Sequence, residues 1–279
     1  MISVCILTLN EEAPLAECLA SVRWSSDIVV FDSFSTDRTV EIATSAGARV
    51  LQRAFDNYSA QRNAALNVPF RHPWVLMLDA DERVSPGLRD EMLDAVVAAS
   101  RDTVLFRVRR KDMFLGRWLR RSSGYPTWFP RLMRPGQVRV ERAINEEVVP
   151  QGRVCWLKNH LAHHPFSKGV AFWLERHNRY STMEAEELMR ETRAPMRWSG
   201  FFSRDPVVRR KCLKQLAYRL PCRPALVFVY LYFLRLGFLD GVPGWHYCRL
   251  RSMYEHMIDL KVRELRMARA GESGSSCLS

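Results

Sequence analysis

The chain has 279 residues, 47% hydrophobic and 26% charged, which is the composition of a folded protein with one large domain or two small ones. Its net charge of +12 is unevenly placed: residues 1–100 carry −6 and residues 101–279 carry +18. The seven cysteines are scattered without a CxxC pair, which argues against a zinc ribbon or a disulfide framework and favours a reducing compartment. The N-terminus has no basic leader and no cleavage site, so we expect no signal peptide.

The first hundred residues alternate between strand and helix patterns. Strands are predicted at 2–9, 28–31, 49–52 and 74–78, and helices from residue 11 to 22 and over 39–46, 60–66 and 86–99. This alternation predicts a parallel sheet with helices on both faces. Right-handed crossovers would bring the carboxyl ends of the first, second and fourth strands to one edge of the sheet.

The fourth predicted strand ends in two carboxylates, Asp79 and Asp81, separated by one alanine. Paired carboxylates supply hard oxygen ligands, which suit a Mg²⁺ or Mn²⁺ ion that carries the diphosphate of a nucleotide. Acidic strand ends are common, so the pair is weak on its own. The same edge of the sheet would also hold Asn10, Glu11 and Asp32, and polar residues from three segments strengthen the prediction.

The remaining chain is basic and aromatic. Residues 103–109 alternate like a strand with one wet face, and residues 110–147 predict short strands and substrate loops. Helices are predicted over 168–191, 207–220 and 245–269, and a disordered tail after Ala270.

A basic segment, residues 204–223, is followed directly by a strongly apolar one, residues 224–239. Arg223 and Arg235 leave only 11 uncharged residues between them, whereas a membrane span needs about 20 apolar residues. We therefore expect this region to lie on an anionic membrane surface rather than to cross it. A solvated basic helix packed on a buried helix is the alternative.

Four segments of the first hundred residues together resemble the family-2 glycosyltransferases, which have the GT-A fold. The matching segments, in order, are Thr8-Leu9-Asn10-Glu11-Glu12, Asp32-Ser33-Phe34-Ser35-Thr36-Asp37-Arg38-Thr39, Gln61-Arg62-Asn63 and Asp79-Ala80-Asp81-Glu82. Later segments are similar to the branch that contains lipopolysaccharide-core β-glucosyltransferases: Gly124-Tyr125-Pro126, Arg131-Leu132-Met133-Arg134, Asn145-Glu146, Asn178-Arg179-Tyr180-Ser181 and Gly237-Phe238-Leu239-Asp240-Gly241. One departure is Asn145, where the branch usually has histidine.

The resemblance implies a fold class and an activity. The fold would be α/β: a GT-A, Rossmann-like, mostly parallel sheet with helices on both faces, plus a C-terminal helical membrane-associating region. The catalytic domain would cover residues 1–200, with a donor half of about 1–100 and an acceptor half of about 101–200. A membrane-surface region would cover 201–270 and a disordered tail 271–279.

The implied reaction is transfer of a hexose with inversion, from a UDP-linked nucleotide sugar, dependent on Mg²⁺ or Mn²⁺. The acceptor would be lipopolysaccharide core or another lipid-linked glycan. The enzyme would be peripheral on the inner face of the cytoplasmic membrane.

The resemblance also assigns roles to residues. Glu146 would be the general base, with Glu147 as the neighbour that could be mistaken for it. Asp32 would accept a hydrogen bond from the uracil imide, and Glu11 and Arg62 would contact ribose or base. The donor site would further contain Thr8, Asn10, Asn63 and Asp79, and the metal ligands would be Asp81, Asp79 and His163.

Purely structural roles remain open for several of these residues. Asp32 and Asp37 could cap turns, Arg62 could be a solvated helix residue, and the Glu146–Glu147 pair could be an exposed loop. His160, His163 and His164 do not match a zinc spacing and could be structural.

Two other functions compete with sugar transfer. A nucleotidyltransferase of the same α/β class would usually have a glycine-rich phosphate loop after the first strand, where this chain has Asn10-Glu11-Glu12. A nucleic-acid-binding protein would fit the charge of +12. The acidic first hundred residues and the lack of a recognised nucleic-acid motif argue against it, so we expect no nucleic-acid partner.

Overall fold

The computed structural model describes residues 1–141, 147–191 and 222–275. Asn145, Glu146, most of the basic segment and the helix predicted at 207–220 lie outside the described residues. The chain forms two compact units. The first contains Met1–Trp118 and Tyr125–Lys168, and the second contains Leu119–Gly124 and Gly169–Ser279. The predicted domain boundary at residue 200 falls outside the described residues and stays a prediction.

The first unit alternates strands and helices up to α4 and is mostly β-structure after it. Its strands are β1 Ile2–Thr8, β2 Ile28–Asp32, β3 Arg49–Gln52, β4 Trp74–Asp79, β5 Glu82–Val84, β6 Thr103–Phe114, β7 Arg117–Trp118, β8 Thr127–Met133, β9 Val138–Glu141, β10 Glu147–Pro150 and β11 Arg153–His163. Its helices are α1 Glu12–Ser21, α2 Thr39–Ser45, α3 Tyr58–Leu66 and α4 Pro86–Ala98.

The main sheet has the order β3-β2-β1-β4-β8-β6-β11-β5, with β7 paired to β6. The four strands from β3 to β4 are parallel, whereas β8 runs antiparallel to both β4 and β6. Register places Thr8 opposite Asp32 and Leu7 opposite Asp79. The strand ends that the sequence predicted to meet therefore lie side by side on one edge.

Strands β1 and β4 are mostly apolar and buried up to their polar ends, because helices cover both faces of the sheet. On one face Val4, Ile6 and Leu76 pack with Leu15 of α1 and Leu88 of α4. The opposite face carries Cys5, Val75 and Met77, packed against Ala65 and Leu66 of α3. Helix α3 begins at an Asn57 cap and α4 at a Ser85 cap, each of which accepts a hydrogen bond from a backbone N–H in the first turn.

The second unit is helical in the residues that the structure describes. It contains α5 Gly169–Glu191, α6 Arg223–Val229, a π-helical turn Tyr230–Leu234, a 3₁₀ turn Gly237–Asp240 and α7 Gly241–Ser275. Helix α7 packs against both α5 and α6. It continues to Ser275, past Ala270, where the sequence predicts the tail to begin.

Candidate active site

Asp32, the last residue of β2, accepts hydrogen bonds from three neighbouring segments. Its side chain is fully buried, and its two oxygens accept hydrogen bonds from Thr8 Oγ1 (2.8 Å), Ser35 Oγ (2.5 Å), Ser35 N (2.9 Å) and Gln52 Nε2 (3.0 Å). Burial alone would raise the pKa of Asp32, but the donors from Gln52, Ser35 and Thr8 lower it below its usual value. The carboxylate is therefore charged and held in one orientation.

The loop after β1 is tied to the loop after β2. Asn10 has a left-handed backbone (φ 55°), and its Oδ1 accepts a hydrogen bond from Thr36 N at 2.8 Å. The backbone N–H of Glu11 donates to Thr39 Oγ1 at 2.7 Å, and Glu11 Oε1 lies 2.6 Å from Lys168 Nζ. Asn10 and Glu11 thus lie at the predicted edge, but Glu11 is paired with a lysine.

Asp79 lies between two arginines. Arg62 Nη2 is 2.9 Å from Asp79 Oδ1, and Arg131 Nη2 is 2.6 Å from Asp79 Oδ2. Arg131 also donates to the fully buried Glu82, whose other oxygen accepts the backbone N–H of Asp79 at 3.1 Å. Burial opposes ionisation of Asp79, but Arg131 and Arg62 hold its pKa well below the usual range. Burial and the neighbouring charge of Asp79 raise the pKa of Glu82.

Asp81 faces His163 across the edge of the sheet. His163 Nε2 is 3.4 Å from Asp81 Oδ2, and His163 Nδ1 is 2.6 Å from Asp112 Oδ1. Burial lowers the affinity of the imidazole for a proton, but Asp81 and Asp112 together raise the pKa of His163 to about 9. Asp112 in turn lies 3.0 Å from Arg110 Nε.

A divalent ion would bind between Asp81 and His163 only with His163 deprotonated, because imidazole ligates a metal in its neutral form and a pKa of about 9 keeps it protonated at neutral pH without the ion. Asp112 fixes the imidazole so that Nε2 faces Asp81, which is the carboxylate–histidine arrangement found behind metal ligands. Within residues 1–141, 147–191 and 222–275, no group of three or more potential ligands is arranged to hold a metal. Mg²⁺ commonly takes one or two protein ligands and completes its shell with phosphate and water. Asp79 fits less well, because both its oxygens already bind arginines.

The remaining predicted residues divide into two groups. Asn63 Nδ2 donates to Val140 O and Asn63 Oδ1 accepts from Val140 N, so its amide holds β9 in place. Glu146 lies outside the described residues, and Glu147 is exposed at the start of β10, opposite Glu141. The roles predicted for these residues in donor binding and catalysis stay predictions.

Four further residues were not assigned to the site from sequence: Glu82, Arg131, Asp112 and Lys168. Two carried a readable signal. Glu82 directly follows the acidic pair, and Asp112 is the only acid in a run with Arg109, Arg110 and Lys111. Arg131 lies in a segment that resembles the family, but its role beside Asp79 could not be read from sequence, because that contact depends on the antiparallel pairing of β8 with β4.

A parallel α/β sheet whose strands end in polar and charged side chains along one edge is the arrangement of an enzyme that binds its ligand at that edge. The chain belongs to glycosyl transferase family 2, because the profile of that family matches residues 3–157, more than half of the chain. It is therefore a glycosyltransferase, and the predicted GT-A-like α/β fold, a mostly parallel sheet with helices, is confirmed. The membrane association predicted for the C-terminal region stays a prediction.

Relatives cover nearly the whole chain. The lipopolysaccharide core biosynthesis glycosyltransferase LpsC of Rhizobium meliloti (strain 1021) is 27% identical over 285 residues, covering 100% of this chain and 97% of its own length. The uncharacterized glycosyltransferase RT0209 of Rickettsia typhi is 26% identical, covering 95% of this chain and 87% of its own. The similarity to LpsC agrees with the predicted lipopolysaccharide-core resemblance.

Solved structures match more distantly. Glucosyl-3-phosphoglycerate synthase from Mycobacterium tuberculosis, in complex with Mn²⁺, UDP and glucosyl-3-phosphoglycerate, is 21% identical with a TM-score of 0.34. The match covers 40% of this chain and 44% of that one.

Proposed function

We propose that this glycosyltransferase moves a hexose from a UDP-linked nucleotide sugar to lipopolysaccharide core or another lipid-linked glycan, with inversion. The observation that carries the proposal is the convergence of Asp81 and His163 at the edge that also holds Asp32. The name of the relative LpsC supports the class of acceptor.

The nucleoside would bind at the β1–β2 end of this edge. Asp32 is charged and held in one orientation by Thr8, Ser35 and Gln52, and its carboxylate would accept a hydrogen bond from a uracil imide. It already accepts four hydrogen bonds, so the base must exchange with one of these donors. A buried partner of this kind discriminates strongly against bases that lack the imide N–H.

Asp81 and His163 would hold Mg²⁺ or Mn²⁺, and the ion would offset the charge that gathers on the leaving diphosphate. Asp112 would keep His163 Nε2 directed at Asp81. Arg62 and Arg131 neutralise Asp79 beside them, which limits the repulsion between Asp79 and an incoming diphosphate.

Inversion requires a base on the acceptor side of the anomeric carbon. We assign the deprotonation of the acceptor hydroxyl to Glu146, with Glu147 as the alternative, on the sequence resemblance alone. General-base assistance of this kind is worth roughly 10²–10⁴-fold in rate. A lipid-linked acceptor would place the enzyme on the inner face of the cytoplasmic membrane.

Calorimetry with a panel of UDP-, GDP- and CMP-sugars, with and without Mn²⁺, tests the donor and the metal. We expect a UDP-sugar to bind in a metal-dependent manner and Asp81→Ala to lose that dependence. The matched control is Asp90→Ala, which removes an exposed acid paired with Arg89 and should bind as the native chain does. Equal binding without metal, or in Asp81→Ala, would show that the proposed role of Asp81 is wrong.

A further inference from the structure

The second unit exposes an unusual number of large apolar side chains. Leu234 is 72% exposed and Val242 is 66% exposed. We define the hairpin surface as the exposed large apolar residues from α6 to the start of α7: Leu226, Val229, Tyr230, Phe233, Leu234, Leu236, Phe238, Leu239, Val242 and Trp245. Contiguous apolar patches of this kind mark contact with another molecule or with a membrane.

The hairpin surface carries no exposed carboxylate. Between Cys222 and Tyr254, all of them described, the only acid is Asp240, and it is buried. Its oxygens accept hydrogen bonds from the backbone N–H groups of Arg120, Arg121 and Ser122. The charges that remain at this surface are positive, with Arg249 packed against the ring of Trp245.

The apolar residues are held outward by a closely packed backbone. Arg223 is buried and ion-paired with Glu255, which fixes α6 against α7. A Cβ atom at Gly244 would lie 2.3 Å from the carbonyl oxygen of Gly237, so the backbones here touch directly. The side chains of the hairpin surface therefore cannot turn inward without breaking these contacts.

The hairpin is too bent to be a simple span. Among the described residues, no single helix has the length and hydropathy needed to cross a bilayer. The pair Arg223–Leu234 and Gly237–Ala268 meets the requirement together but bends by 71°. Leu234 and Leu236 lie at the bend, and both side chains are exposed to solvent there.

We propose that the hairpin surface inserts into one leaflet of an anionic lipid bilayer and seats the enzyme beside its acceptor. This deepens the proposed function and rests on its lipid-linked acceptor. Aromatic and aliphatic side chains flanked by arginines suit the boundary between headgroups and acyl chains. A symmetric contact with a second copy fits less well, because a twofold interface would bring the arginines of both copies together.

Flotation with vesicles of phosphatidylcholine, alone or in an equal mixture with phosphatidylglycerol, tests the proposal. The full chain should float with the mixed vesicles, and the double variant Leu234→Asp/Phe238→Asp should bind them at least about tenfold more weakly. Both sites are exposed, so the variant should fold. The matched control is Val97→Asp, which places the same charge on an 85% exposed apolar residue of α4 and should float like the native chain.

A second pair of measurements separates insertion from simple charge attraction. Bromine-labelled acyl chains should quench fluorescence in the native chain more than in Trp245→Phe, and Arg235→Glu/Arg249→Glu should weaken binding to mixed vesicles only. Undiminished flotation of Leu234→Asp/Phe238→Asp would contradict the proposal. The proposal would also be contradicted if the native chain failed to float and formed a dimer in light scattering that this variant converts to a monomer. Metal-dependent UDP-sugar binding should survive in every variant, so a failure here leaves the proposed function intact.

Discussion

The edge of the sheet in the first unit and the hairpin surface in the second unit distribute polarity in opposite ways. At the sheet edge, these charged groups are buried or half-buried and have partners: Asp79 pairs with two arginines, Glu82 pairs with Arg131, and Asp32 accepts four hydrogen bonds. On the hairpin surface, the acid is buried and large apolar groups are exposed. The charges at the sheet edge are paired within the protein, whereas the exposed apolar side chains of the hairpin surface would be buried only by contact with another apolar surface.

The difference shows what the interactions of each region contribute: fixed geometry at the sheet edge, and association with another surface at the hairpin. Buried ion pairs gain little net stability but fix geometry, because removing one partner leaves an uncompensated charge. Exposed apolar side chains leave their burial energy available for association. Variants that remove one element at a time should therefore affect the two regions very differently.

The largest effect on folding stability should come from Arg131→Met. Arg131 is 7% exposed and answers both Asp79 and Glu82, so its loss leaves two carboxylates with a missing partner. We expect the free energy of unfolding to fall by about 3–5 kcal/mol in chemical denaturation. Arg89→Met is the control: Arg89 is 38% exposed and its partner Asp90 is 59% exposed, so the loss of that surface pair should change stability far less. Equal losses in both variants would mean that Arg131 is not central.

A smaller effect, confined to the second unit, should follow Asp240→Asn. The amide would keep one acceptor oxygen, but its NH₂ group would face backbone donors of Arg121 and Ser122. We expect a loss of about 3 kcal/mol. Hydrogen exchange should rise in residues 119–124 and at the start of α7 while β1 and β4 stay protected. Uniform exchange across both units would contradict this local role.

Acid should destabilise the first unit through Asp27. Burial raises the pKa of this carboxyl, but Ser3, the backbone N–H of Arg71 and the Arg49 guanidinium lower it below the usual 3.8. A folded-state pKa below the unfolded one gives stability that is present above about pH 4 and is lost as pH falls through the folded value. Asp27→Asn should cost about 2 kcal/mol at pH 7. The gap in melting temperature between variant and native chain should narrow below pH 4, and a constant gap would exclude this linkage.

The smallest change in stability should come from the hairpin surface itself. Leu234→Asp alters a side chain that is 72% exposed, so the free energy of unfolding in solution should shift by no more than about 0.5 kcal/mol. The same variant should weaken vesicle binding strongly. A large loss of stability without vesicles would mean that Leu234 packs within the fold.

Much of the first unit was predictable from sequence because its signals are local. Continuous apolar runs predicted β1 and β4, and their abrupt polar ends predicted the edge that gathers Thr8, Asp32 and Asp79. The partners of those residues were not predictable. Asp79 is met by Arg62 from α3 and by Arg131 from β8, and no local pattern shows which distant arginine will arrive. The sequence favoured an outward-facing surface for the apolar run 224–239 over a buried helix, but only the structure showed which of its side chains are exposed.

The sequence by itself determined the alternating α/β plan, the order of the polar strand ends and the family to which the chain belongs, because periodicity and motif spacing are written along the chain. Only the tertiary structure decided which side chains meet the acidic pair. Pairing of β8 with β4 brings Arg131 to Asp79, and pairing of β11 with β5 and β6 brings His163 between Asp81 and Asp112. Contacts between residues 50 or more positions apart depend on strand order and register, which the physics of packing sets for the whole sheet at once.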